Sequence, residues 1–182
     1  MPRRIRRQRP RRNAKIALMT EPDPPNPPRT PQLYGLGTSV YAERDGKILV
    51  LKRASGAAAG AWYTPGGVLD PGETPADCAR RELFEEAGLV PTGPLELVGL
   101  IPMHVYGAQS FLVAYACECK GGDVQLSHEH TAFRWVDALE YRERYFSAAG
   151  IDSLRAREPE IAKLSAAVRH GIDEYLAFRA RS

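Results

Sequence analysis

Apolar and polar positions along the chain change period several times, and each change marks an element. Residues 37–44 and 47–53 read as two strands, and Asp45-Gly46 between them is a strong hairpin signal. Residues 54–60, with Ser55, Gly56, an alanine run and Gly60, read as a loop. Trp62 and Tyr63 lead into Pro65-Gly66-Gly67. The spacing then predicts a helix over 75–87, strands over 95–105 and 109–119, and strand pieces at 123–126 and 132–136. A short helix follows at 137–145. Ile161, Leu164, Val168, Ile172, Tyr175 and Leu176 stand at helical spacing and predict a longer helix over about 158–178. No repeat is present. Strands flanked by amphipathic helices imply an α/β fold with a mixed sheet between helical layers.

The helix at 75–87 is the best specified element. Thr74 suits the N-cap, Pro75 the first helical position, and Asp77 the third, an approximate capping box. Gly88 stands where a left-handed residue ends a helix, with apolar Leu89 beyond it. Ala76, Ala79, Leu83 and Ala87 form a small, apolar face able to lie against a sheet. A different face carries Glu82, Glu85 and Glu86, at i, i+3 and i+4, within roughly 100° of arc. Three carboxylates so close repel one another and weaken the helix unless a cation sits on them. Hard divalent cations such as Mg²⁺ are bound by carboxylate oxygens, with substrate phosphates completing the shell. Gly66 and Gly67 allow a tight turn and close approach of backbone to a ligand. The pattern reads as a metal platform for phosphate chemistry.

Residues 67–89 resemble the Nudix box, and Gly67, Glu73, Arg81, Glu82, Leu83, Glu85, Glu86, Gly88 and Leu89 fill every defined position of it. The resemblance implies an α/β/α sandwich and a hydrolase that cleaves a diphosphate linked to a nucleoside. It implies Glu82, Glu85 and Glu86 as metal ligands, with the Gly67 carbonyl added and one glutamate orienting the attacking water. The metal is Mg²⁺, with Mn²⁺ as a substitute. Arg81 and Glu73 are implied as an ion pair supporting the loop. In many Nudix proteins a later loop supplies a further acid or base, and Glu129, between His128 and His130, is the candidate. The His-Glu-His run is too short and local for a zinc site. Lys52 and Arg53, at the end of the second strand, are candidate phosphate contacts. Trp62 and Tyr63 are candidates for stacking on a base, with core packing as the competing expectation.

Substrate choice is less legible. The family's proline sixteen residues beyond the box, a mark of ADP-ribose hydrolases, is absent: Val105 stands there and Pro102 is displaced. Tyr106 occupies the place of a tyrosine found in some dinucleoside polyphosphate hydrolases. The favoured substrate is a nucleoside triphosphate, deoxy or not, or a sugar nucleotide. Dinucleoside polyphosphates or an RNA 5′ end are the alternatives. A non-catalytic nucleotide- or RNA-binding module on the same fold would be favoured by loss of a metal glutamate, and none is missing.

The net charge of +3 conceals an asymmetry. Residues 1–15 hold seven arginines and Lys15 with no acid, and the rest of the chain carries −5. The expected organisation is a basic, then proline-rich arm over 1–33, disordered by composition, and a Nudix domain over 34–182. Such an arm suits RNA or another polyanion; a passive tail, a targeting leader or a translation start at Met19 are the competing readings. No run of 18 apolar residues exists, so no membrane partner is expected. Cys117 and Cys119 alternate on a strand and are expected as buried thiols. With Cys78 they make an odd number, and a cytoplasmic protein with reduced cysteines is expected. The partners considered are a nucleotide substrate, a polyanion on the arm, and a second copy in a homodimer.

Overall fold

The computed structural model describes residues 34–181 other than Ala57 and Tyr106. The readings of the basic arm and of Tyr106 therefore lie outside the described residues. Strands β1 (Gly35–Arg44) and β2 (Lys47–Arg53) meet at the Asp45-Gly46 turn, where φ is 50° and 73°. Both values are positive, as a two-residue turn matched to strand twist requires. The remaining elements are β3 (Trp62–Tyr63), α1 (Pro75–Ala87), β4 (Glu96–Val105), β5 (Ala108–Glu118), β6 (His130–Val136), α2 (Ala138–Tyr145), α3 (Ala148–Leu154) and α4 (Pro159–Arg179).

The six strands form a mixed sheet in the order β3-β2-β1-β5-β4, with β6 on β2. β1 runs parallel to β5 from Gly35↔Ser110 to Glu43↔Glu118, and β4 is antiparallel to β5. β1 and β2 pair only beside their turn, at Glu43↔Ile48 and Arg44↔Lys47, and then separate. The segment 62–69 fills the gap. Trp62 and Tyr63 pair with β2, whereas Pro65 and Gly67 accept hydrogen bonds from Val40 and Thr38 of β1, both at 2.8 Å. This splay delivers the glycine turn to the middle of the sheet.

Two cores lie on the two faces. On one, Ala79, Leu83 and Ala87 of α1 pack on Val40, Ala42, Leu49 and Leu51, with the free, buried thiols of Cys117 and Cys119 beside them. On the other, Tyr141 of α2, Ile151 of α3, and Ile172 and Tyr175 of α4 pack on Tyr41, Val50 and Ile101. The result is the expected sandwich of helices about a mixed sheet.

The caps of α1 form as their residue types dictate. The Thr74 hydroxyl accepts from the Asp77 N–H at 3.2 Å, and Gly88 at φ 66° donates its N–H to the Phe84 carbonyl at 2.8 Å. Thr74→Ala is expected to cost about 1 kcal/mol. An unshifted midpoint in a denaturant titration would show that the cap contributes nothing.

Two expectations need correction. Residues 123–126 form no strand. Gln125 donates its backbone N–H to Ala87 and Ser127 donates to Glu86, so the segment satisfies the open carbonyls at the end of α1. The helix α3 was not anticipated. It starts at Ser147, whose hydroxyl accepts from the Gly150 N–H, and buries Ile151 alone. One apolar contact in seven residues leaves no periodic signal to read.

Candidate active site

The glycine turn and α1 face each other across a gap too narrow for side chains. A Cβ on Gly66, where φ is 153°, would lie 2.2 Å from the Thr38 carbonyl oxygen. A Cβ on Gly67 would lie 2.2 Å from Oε1 of Glu82. The Gly67 carbonyl accepts from the Thr38 N–H at 2.8 Å and lies 3.8 Å from the Cys78 thiol. One lone pair of this carbonyl is therefore engaged by β1, and the missing Cβ of Gly67 is what lets the Glu82 carboxylate lie against the turn.

The three glutamates share a face of α1 but not an environment. Glu86 is buried, 6% exposed; its Oε2 accepts the Gly66 N–H at 3.0 Å, and its Oε1 lies 3.7 Å from Nε2 of His130. Burial pushes its carboxyl up to about 7; the Gly66 N–H opposes this, and the Glu82 and Glu129 charges add to it. Glu82 is half-buried and also shifted up by burial, with Arg81 opposing. The Glu85 side chain is 55% exposed.

A cation already sits on this face. Arg81 uses all five of its N–H groups. Nε and Nη2 grip both oxygens of Glu73 at 2.9 and 3.0 Å, and Nη2 also reaches the Val68 carbonyl at 3.2 Å. Nη1 donates to Glu82 at 2.8 Å and to Glu85 at 3.1 Å. The paired fork and the Asp70 N–H hold Glu73 down to about 2. The Glu73–Arg81 pair joins the loop to the helix, and Arg81 reaches from it onto the acidic face itself.

The other candidates fall on both sides of the line. Arg53 and Glu129 are 4.0 Å apart, and the Glu129 charge bears on both Glu82 and Glu86. Arg53 lines a cavity of about 530 Å³ that also takes in Glu86, Gly67 and His130. Lys52 is not among its lining residues, and neither is Trp62. The Trp62 ring carries the Arg134 guanidinium, 4.6 Å from its centre, and packs beside Tyr145, whereas Tyr63 does line the cavity. Away from the charged groups the walls are apolar, with Leu36, Phe111 and Leu112 on the sheet and Val168 on α4. Sequence reasoning missed His130. It pairs across β2 with Arg53 at a β-bulge, which sets the two side chains together beside Glu86. Its only sequence signal was the polar run that contains it.

Among the described residues no three His, Cys, Asp or Glu side chains converge as a ready metal cage. The donor set nevertheless fits a hard divalent ion. Glu82, Glu85 and Glu86 offer carboxylate oxygens, the missing Cβ of Gly67 lets the Glu82 carboxylate lie against the turn, and the face already attracts a cation, the guanidinium of Arg81.

Residues 33–155 match the family described as NUDIX domain, which is more than half of the chain. The chain belongs to the Nudix family. It is 32% identical over 133 residues to the MutT-like protein of Streptomyces ambofaciens, covering 72% of this chain and 82% of that one. It is 38% identical over 103 residues to the CTP pyrophosphohydrolase of Escherichia coli, covering 54% and 75%. A NUDIX hydrolase from Nitrosomonas europaea shares the fold with a TM-score of 0.58 at 21% identity, over 80% of this chain and 90% of that one. The chain is thus a Nudix pyrophosphohydrolase, of a family that acts on nucleotide substrates and generally uses a divalent metal. Within the described residues no helix is long and apolar enough to cross a membrane.

Proposed function

We propose that this Nudix hydrolase cleaves the diphosphate linkage of a nucleoside triphosphate, deoxy or not, or of a sugar nucleotide, with Mg²⁺ or Mn²⁺ bound by Glu82, Glu85 and Glu86 and the Gly67 carbonyl. The observation that carries this reading is that Glu86, the buried member of the acidic face of α1, lines a cavity of about 530 Å³. That volume lies in the range of small-molecule sites, and its apolar walls suit a nucleobase. The similarity to a CTP pyrophosphohydrolase supports a nucleoside triphosphate first.

The bound metal supplies Lewis-acid polarisation of the phosphoryl oxygens and a water of lowered pKa. The protein residues hold the rest. Gly66 fixes one oxygen of Glu86 through its N–H, leaving the other toward the cavity and His130. Arg53 offers a guanidinium to the phosphates at the same end, once its loose pairing with Glu129 yields. Glu129, 51% exposed at its side chain, is the candidate general base beside this cluster. Products are a nucleoside monophosphate and a phosphorylated remainder, pyrophosphate when the substrate is a triphosphate.

A phosphate-release screen across nucleotide classes, with Mg²⁺ and with Mn²⁺, tests the substrate class. Turnover only of dinucleoside polyphosphates or of triphosphorylated RNA ends would replace the reading. Excess chelator is expected to abolish hydrolysis and either metal to restore it. Full activity in chelator would contradict the assignment of the three glutamates. Arg53→Ala is expected to raise KM about tenfold or more, because a lost charge-assisted contact to phosphate weakens substrate binding. An unchanged KM removes Arg53 from the substrate.

A further inference from the structure

We propose that Arg81 is the resident counter-cation of the metal-free site, and that its Nη1 group and the divalent metal hold the same two carboxylates in turn. This rests on the metal-site reading above. Nη1 lies 2.8 Å from Oε1 of Glu82 and 3.1 Å from Oε2 of Glu85, so it occupies the point between them. A Mg²⁺ or Mn²⁺ ion shared by the same two oxygens would take contacts near 2.1 Å, shorter than those of Nη1, and would compete with Nη1 for their lone pairs. Two cations do not share that point.

The rest of the side chain is anchored elsewhere. Nε and Nη2 are bound to Glu73, and Nη2 also to the Val68 carbonyl. Metal entry therefore removes the two Nη1 hydrogen bonds and leaves those of Nε and Nη2, with Arg81 still tied to the loop. Glu85, which is the more exposed partner, is the one free to turn first. Two consequences follow. The metal-free helix does not suffer the full repulsion of its glutamates, so the chain folds without metal. Metal binding has to break two charge-assisted hydrogen bonds and overcome a nearby positive charge, so Arg81 weakens affinity while holding the loop in place.

Mn²⁺ titrations by calorimetry on the wild-type chain and on Arg81→Gln provide the test. The variant is expected to bind Mn²⁺ about tenfold more tightly, the scale of one unit charge removed at about 5 Å from a divalent ion in a solvated site. Its melting temperature in chelator is expected to fall, and saturating Mn²⁺ to raise it by more degrees than in the wild type. Since the variant could also loosen the loop, ¹⁵N spectra of the wild-type Arg81 guanidinium give a second readout. Saturating Mg²⁺ is expected to shift the Nη1 resonances and speed their exchange while the Nε–H, held by Glu73, stays protected. Equal or weaker Mn²⁺ binding by a folded variant overturns the proposal, as do unmoved Nη1 resonances at saturating Mg²⁺. Absence of Mn²⁺ binding in both chains overturns the metal reading itself.

Discussion

Glu86→Gln is expected to lower turnover at least about a hundredfold while the protein stays folded. The amide is nearly isosteric, and its oxygen can still accept the Gly66 N–H. What it loses is the charge that makes a carboxylate a good ligand for a hard cation. The same substitution separates function from stability. In the metal-free chain the ionised Glu86 opposes folding, because burial raises its pKa from 4.5 to about 7. The stability of the neutral-carboxyl fold is fully present below about pH 4.5 and is lost as the pH rises through 7, a change of about 3 kcal/mol. The variant has no such loss. At pH 8 in chelator it should melt no lower than the wild type. Glu85→Gln should cost as much turnover with less effect on melting, since Glu85 is exposed. Near wild-type rates in both variants would falsify the ligand assignment.

Gly66→Ala and Gly67→Ala are expected to fail in different ways, although the two residues are adjacent. At Gly66 the new methyl meets the Thr38 carbonyl oxygen at 2.2 Å and Cα of Ser39 at 3.0 Å, all backbone of a central strand. Nothing there can move cheaply, and the positive φ adds strain. The expected loss is about 3 kcal/mol or more. At Gly67 the obstacle is the carboxylate of Glu82, the far end of a flexible side chain. It can swing aside for about 1 kcal/mol, so the fold survives and the ligand is displaced. Mn²⁺ affinity and turnover should each drop at least about tenfold in Gly67→Ala, with little change in the denaturation midpoint. A strongly destabilised Gly67→Ala, or a fully stable Gly66→Ala, would show that the turn packs otherwise than described.

Much of this site is local, and so it was legible in the residues alone. Thr74, Pro75 and Gly88 bound a helix because caps are satisfied by neighbours two to four positions away. Within that helix, the pitch alone sets Glu82, Glu85 and Glu86 on one face and Ala79, Leu83 and Ala87 on another. The pair Glu73–Arg81 spans eight residues and follows from a turn closing on the helix it precedes.

The tertiary structure decided what pitch and caps leave open. Glu85 and Glu86 are neighbours in sequence with the same chemistry, yet one side chain is 55% exposed and the other 8%. The difference arises because the splay of β1 from β2 lets the glycine turn close over Glu86 and Glu82 but not over Glu85. Arg53 and His130 reach Glu86 from another layer through a bulge in β2, whereas Lys52, next in sequence, lines no part of the cavity. Residues 123–126 have the composition of a strand, but Gln125 and the adjoining Ser127 meet the carbonyls at the end of α1 before any strand edge. In each case the deciding contact joins residues that the chain places far apart. Whether a carboxylate is buried, or a cation faces it, depends on how sheet and helix are stacked, which the local pattern of residues does not encode.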